Sequence, residues 1–303
     1  MNHFAAARFD ENVQRLALGL ELLDSGRLGR VAHPVSVAFD GVPLPLPPYR
    51  EPTQFGGFEI DDILPRVDRH DSCLHAIIYR KGLYRLPSPR QPAVVNLRFL
   101  SPSRRFVPRR LGFPLLDPVS ISAADDANPI AGDPALLGLP NRVRSVTLWS
   151  GAAYDVGGAI SGLRGRTRRA DGKPVRWVRV EAFQDVRGQQ GTTLVGRAHG
   201  DDRGEFLLLV STDATDFGPL ANSLTVDVWV VVHAAADPPP ATLFQRRNDP
   251  LWDLPLEVVT TTTRTDPILR GEQLPPSYTV SRKAKVTLPL GRFATSEVPP
   301  FIF

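Results

Sequence analysis

Cysteine is nearly missing from this chain: Cys73 stands alone. No intrachain disulfide can form, and because secreted β proteins of this size often depend on such cross-links, assembly in a reducing compartment is expected. Lysine is almost as scarce. Lys81, Lys173, Lys283 and Lys285 are the only ones, so nearly all positive charge is arginine, a side chain suited to bidentate, stacked and interfacial contacts. An arginine-biased codon usage accounts for the same excess equally well. Long apolar runs are absent too: no stretch approaches about eighteen residues, and MNHFAAARFDENVQRLALGL has neither the basic start nor the continuous apolar core of a signal peptide. Membrane insertion is not expected, and cytoplasmic synthesis without a leader is. Such a protein would reach the outside as part of a released or exported particle.

The common catalytic signatures are missing as well. The histidines are His3, His33, His70, His75, His199 and His233, and none stands in an H-x-x-E, H-E-x-x-H or H-x-H arrangement with further ligands. There is no G-x-S-x-G elbow, no phosphate-binding G-x-x-x-x-G-K-[ST] loop and no dinucleotide fingerprint after a strand. Asp125, Asp126 and Asn128, like Asp201 and Asp202, lack the regular spacing of a calcium loop and read as turn and cap residues. The densest cluster is His70, Asp71, Cys73 and His75. On a strand Cys73 and His75 would share a face, as a Cys–His catalytic pair requires, but a cysteine between apolar neighbours is more often a small core residue. No cofactor, no metal and no enzyme activity are expected.

What the chain does have is 30 prolines and 24 glycines in 303 residues, too many for a helix-rich fold. Period-two alternation marks strands at 13–22, 35–39, 74–79, 83–86, 94–100 and 106–115. A connector without periodicity follows at 120–142, then strands at 143–150, 160–167, 175–183, 192–198, 205–210, 224–234 and 254–262. The fold class expected is all-β, with two sandwich or barrel-like domains at 1–119 and 143–262. Residues 263–303, carrying Tyr278 and ending in PPFIF with Phe301 and Phe303, form an extended tail, either an edge strand or an arm docking on a neighbour.

Two arginine groups stand out. Arg164, Arg166 and Arg168 would line one face of a strand, and Arg104 and Arg105 are followed by Arg109 and Arg110. No aromatics interleave with them, so nucleic acid is not the expected partner; a solvated outer face, or pairing with Glu and Asp of a neighbouring subunit, is the expected use. Of the four tryptophans, Trp177 and Trp252 are candidates for stacking on a glycan, whereas Trp229 sits in an apolar run and reads as buried.

Within 160–210, ISGLRGRTRRADGKPVRWVRVEAF carries a strand into an Ala170-Asp171-Gly172-Lys173-Pro174-Val175 turn, and TTLVGRAHGDDRGEFLLLV carries one through Asp202-Arg203-Gly204 to Phe206. The four runs read as one antiparallel sheet unit. This pattern resembles the carboxypeptidase regulatory-like, transthyretin-like sandwich family, and the resemblance implies an immunoglobulin-like or transthyretin-like second domain with Val180 and Phe206 in its core. The family's module is an accessory one, so the resemblance implies no activity. The order of RLALGLELLDSGRLGRV, VNLRFLSPSRRFVPRRLGFPL and VTLWSGAAYDV is similar to accessory proteins of phage-tail-like contractile injection systems. That resemblance implies a non-enzymatic structural or adaptor component whose partners are other subunits of a larger assembly. The alternatives are a carbohydrate- or surface-binding module and a hydrolase using the His70–His75 region.

Overall fold

A computed structural model describes residues 15–40, 54–55, 58–59, 67–69, 73–79, 94–115, 142–157, 160–185, 192–211, 225–236, 249–261, 263–295 and 301–303. The expected strand at 83–86, residues 120–141 of the connector, and His3, His70, Asp125 and Asp126 lie outside them. The chain is almost all β. Its first half contributes β1 (Arg15–Asp24), β2 (Gly29–Arg30), β3 (Ser36–Phe39), β4 (Gln54–Phe55), β5 (Phe58–Glu59), β6 (Val67–Arg69), β7 (Leu74–Tyr79), β8 (Val94–Leu100), β9 (Arg109–Pro114) and β10 (Val143–Leu148). The second contributes β11 (Gly162–Arg166), β12 (Arg179–Asp185), β13 (Thr192–His199), β14 (Glu205–Leu209), β15 (Thr225–Ala235), β16 (Leu256–Val258), a one-turn helix α1 (Pro267–Arg270), β17 (Tyr278–Pro289) and β18 (Phe293–Thr295).

The first sandwich faces a sheet of order β10-β1-β7-β6, with β2 on β1, against one of order β16-β9-β8-β3. Alternation supplies its core. Val95, Leu97 and Phe99 of β8 and Leu111 and Phe113 of β9 are each at most 1% exposed, and they meet Leu18, Leu20 and Leu22 of β1. Each such side chain contributes about 1.5–3 kcal/mol of burial free energy.

The second sandwich faces β14-β11-β18 against β13-β12-β15-β17. On β15, Val226, Val228, Val230, Val232 and Ala234 point inward, so Trp229 points out. Two of its described turns use the same chemistry. Gly172 (φ +83°) and Gly204 (φ +72°) each follow a turn closed by a backbone bond, from Gly172 N–H to Arg169 O and from Gly204 N–H to Asp201 O. A left-handed residue after such a turn is what three-residue hairpin loops require. At Gly204 a Cβ would also lie 2.6 Å from Thr167 O.

The sheet β14-β11-β18 is shared. Leu163, Phe206 and Leu208 face the second core, whereas Leu207, Leu209 and Phe293 pack on the first. This explains why EFLLLV does not alternate: both faces of β14 are covered.

The structure thus departs from the expected organisation in two respects. The four runs of 160–210 do not make one sheet, because β11 pairs with β14 and β12 with β13 in opposite layers. The second domain does not start at 143 and run unbroken to 262: β10 pairs in parallel with β1, β16 pairs in parallel with β9, and α1 lends Ile268 and Leu269 to the first core. Of the two alternatives for the tail, residues 278–295 take the edge strand and not the arm. β17 pairs along its length with β15, β18 pairs with β11, and Phe301 packs edge-on to Phe206 at 6.2 Å with 1% exposure. Burial of Phe301, Leu288 and Val286 against the second core holds these segments in place.

Candidate functional site

The two sandwiches are tied by buried charge. Arg109 on β9 is completely buried, and its five N–H donors make five bonds: Nε to Glu257 Oε1 (3.1 Å), Nη2 to Glu257 Oε2 (2.9 Å) and Ile268 O (2.5 Å), and Nη1 to Thr147 O (2.8 Å) and Leu269 O (2.7 Å). Glu257 Oε1 also accepts from Arg179 Nη2 on β12 at 3.0 Å. An Arg–Glu–Arg triad therefore spans β9, β16 and β12. Alternation puts Arg109 inward, where only full hydrogen bonding makes a guanidinium tolerable.

Beside the triad, His199 on β13 donates through Nε2 to Gly271 O at 3.0 Å, and Trp149 stacks on its ring at 4.8 Å. Burial first, then the charges of Arg179 and Arg109, push this imidazole well below its ordinary value of 6.5 and keep it neutral. Gly271 caps α1 in the left-handed region at φ +70°. Its hydrogen side faces the ring pair, and a Cβ there would lie 2.4 Å from Trp149 Nε1.

Next to this joint opens a groove of about 870 Å³, formed by the Arg169–Val175 turn, the loop around Pro250–Leu256 and the start of β17 at Tyr278. Beneath it Trp177 is 3% exposed and holds φ +61°, a region costly for a bulky side chain. The surroundings enforce it. Its indole N–H donates to Asp253 Oδ1 at 2.8 Å, its N–H to Asp201 O at 3.1 Å, and its carbonyl accepts from the Tyr278 hydroxyl. Burial pushes the Tyr278 phenol up to about 12, so it remains a donor. Arg176 packs over the Trp177 ring at 5.1 Å and pairs with Asp253 at 3.0 Å.

The residues singled out in the sequence fall in different places. Arg164, Arg166 and Arg168 are all exposed along one side of the β11 segment; Arg164 donates to Ala152 O and Arg166 to Arg203 O. Arg104 pairs with Asp202 at 3.2 Å, and Arg105 Nη1 meets His33 Nε2 at 2.6 Å. Trp177 is buried and cannot stack on a glycan, which corrects the expectation; Trp252 is half-buried at the groove. Trp229, expected inside, lies on the outer face, bonded to Asp185 and covered by Lys283 at 4.4 Å. Tyr278 and Phe303 are half-buried and Phe301 is core, so these three make intramolecular contacts. Phe303 lies under Arg282 and bonds through its N–H to Arg168 O. Cys73 and His75 are buried, and the Cys73 thiol is 3.6 Å from His33 O. Among the described residues no group of three or more His, Cys, Asp and Glu could hold a metal, and no helix is long and apolar enough to cross a membrane.

Sequence reading missed Arg179, Glu257, His199 and Gly271 as one unit. They converge from strands far apart in sequence, and no local spacing signals it.

The fold and the site define an all-β, sandwich-built protein whose buried charges serve as internal ties. No protein-family model matches the chain, and no curated protein matches it. Among solved structures, a 9R-lipoxygenase from Cyanothece PCC8801 is similar over 25% of this chain and 10% of that one, at 16% identity and a TM-score of 0.21, a likeness that carries no argument.

Proposed function

We propose that the chain is a non-enzymatic structural or adaptor component of a phage-tail-like, contractile injection particle, acting through protein–protein contacts. The observation that carries this reading is the stripe of Arg164, Arg166 and Arg168: three exposed guanidiniums, none paired with a carboxylate among the described residues. Such a row suits the acidic surface of a neighbouring subunit. The likeness of the amino-terminal segments to injection-system accessory proteins supports the particle, and the shared middle sheet supports a stiff block suited to bracing. Purification from the native host tests it. The chain should co-migrate with a large assembly, and an R164E/R166E/R168E variant should fold yet fail to join it; a wild-type chain that sediments alone overturns the reading.

A second reading, a carbohydrate-binding module, is favoured only by the placement of Trp252 at the groove. Glycan-array binding lost in Trp252→Ala would favour it over the first.

A further inference from the structure

We propose that the groove beside Trp252 is a docking site for an extended, acidic segment of a partner protein. The inference rests on the adaptor reading and names the partner's chemistry. Charge accounting comes first. Two carboxylates line the groove, and both are committed: Asp253 to Trp177 and Arg176, and Asp202 to Arg104. Of the cations lining it, Arg110 is paired with Asp40. Arg169 makes no ion pair among the described residues, and Lys173 has only the exposed Asp171, a solvated contact of small worth. The turn that carries Arg169 and Lys173 therefore has one more cation than its carboxylate Asp171 offsets, while apolar side chains line the groove beside it, Val175 from the same turn and Pro250, Leu254, Pro255 and Leu256 from the neighbouring loop.

A ligand that fits presents carboxylates on one side and apolar side chains on the other, as an extended peptide does by alternation. The volume of about 870 Å³ suits a few residues of such a segment. A nucleic-acid strand fits poorly, since its phosphates need a continuous row of cations and several stacking rings, and here Asp202 and Asp253 stand among the cations of the lining. A neutral glycan would leave the Arg169 charge unanswered and would find Trp177 buried. The strained backbone of Trp177 is consistent with a floor shaped for recognition.

The test titrates the purified full chain with fluorescein-labelled short peptides alternating Glu or Asp with Leu or Pro. Their lysine-for-acid counterparts, single-stranded DNA and neutral oligosaccharides run in parallel. Saturable binding of acidic peptides is expected, weakened about tenfold by R169E/K173E and by Trp252→Ala, and unchanged by R164E/R166E. Because Trp252→Ala risks the fold, the R169E/K173E pair, at a half-buried and an exposed position of the turn, decides, with circular dichroism confirming the native state. Acidic-peptide binding that this pair leaves unaltered, no saturable binding by any acidic peptide, or preference for DNA or oligosaccharide each overturns the proposal. Incorporation into the assembly separates the two readings. A wild-type chain that never co-purifies with a particle overturns the adaptor role, whereas an R169E/K173E chain that co-purifies normally overturns the groove alone.

Discussion

Arg109 and Glu257 meet in a two-pronged ion pair, 3.1 and 2.9 Å, with the Arg109 side chain fully buried and that of Glu257 nearly so. They come from strands paired in parallel across a gap of 148 positions, and Arg179 from the other sandwich shares the same carboxylate.

Glu257→Gln leaves two buried guanidiniums without a counter-charge. The expected loss is about 3–5 kcal/mol, read as a lower urea midpoint. An unchanged midpoint would mean that the triad is solvated.

Gly271→Ala places a methyl group against Trp149 and His199 while keeping a left-handed backbone. A loss of about 1–3 kcal/mol is expected, seen as a lower melting temperature, with the tryptophan emission altered by displacement of Trp149.

Stability should fall on acidification in two windows. His199 is depressed in the fold, so the unfolded chain binds its proton first, and stability declines as pH drops below 6.5. Glu21 is held down at about 2, chiefly by Arg264 and then Arg30, against an ordinary 4.5. Its contribution is complete above 4.5 and is lost as pH falls towards about 2. Denaturant midpoints measured across pH should show both declines, with His199→Gln removing the upper and Glu21→Gln the lower.

Phe301→Ala removes a ring buried against Phe206. A cost of about 3–5 kcal/mol is expected. Deleting 275–303 removes β17 and β18 and should abolish the second sandwich, visible as lost β signal in circular dichroism; a truncated chain with the full spectrum would show that these strands are dispensable.

Local chemistry was legible in the sequence. The Gly172 and Gly204 turns follow from Asp-Gly-Lys-Pro and Asp-Asp-Arg-Gly, and the strands around Val95, Leu97 and Phe99 follow from alternation. Parity in SLTVDVWVVVHA was legible too, since Thr225, Asp227 and His233 alternate on the face of Trp229, but the density of valines around the tryptophan masked it. The pairing of β1 with β10 was hidden, since a parallel contact between Leu20 and Arg144 leaves no mark in the intervening residues. At the candidate site, the exposed arginine row was readable from spacing. The groove was not, as Arg169, Trp252 and Tyr278 converge only after both sandwiches close.

The return of β16 to the first sandwich and of residues 301–303 to the second has a consequence for biosynthesis. During translation β9 waits for Leu256–Val258, and β11 waits for Phe293–Thr295, before either edge is covered. Neither half can finish folding on the ribosome until nearly the whole described chain has emerged. The nascent protein therefore carries open strand edges for most of its synthesis, a demand on chaperones that two sequential domains of the same size would not make.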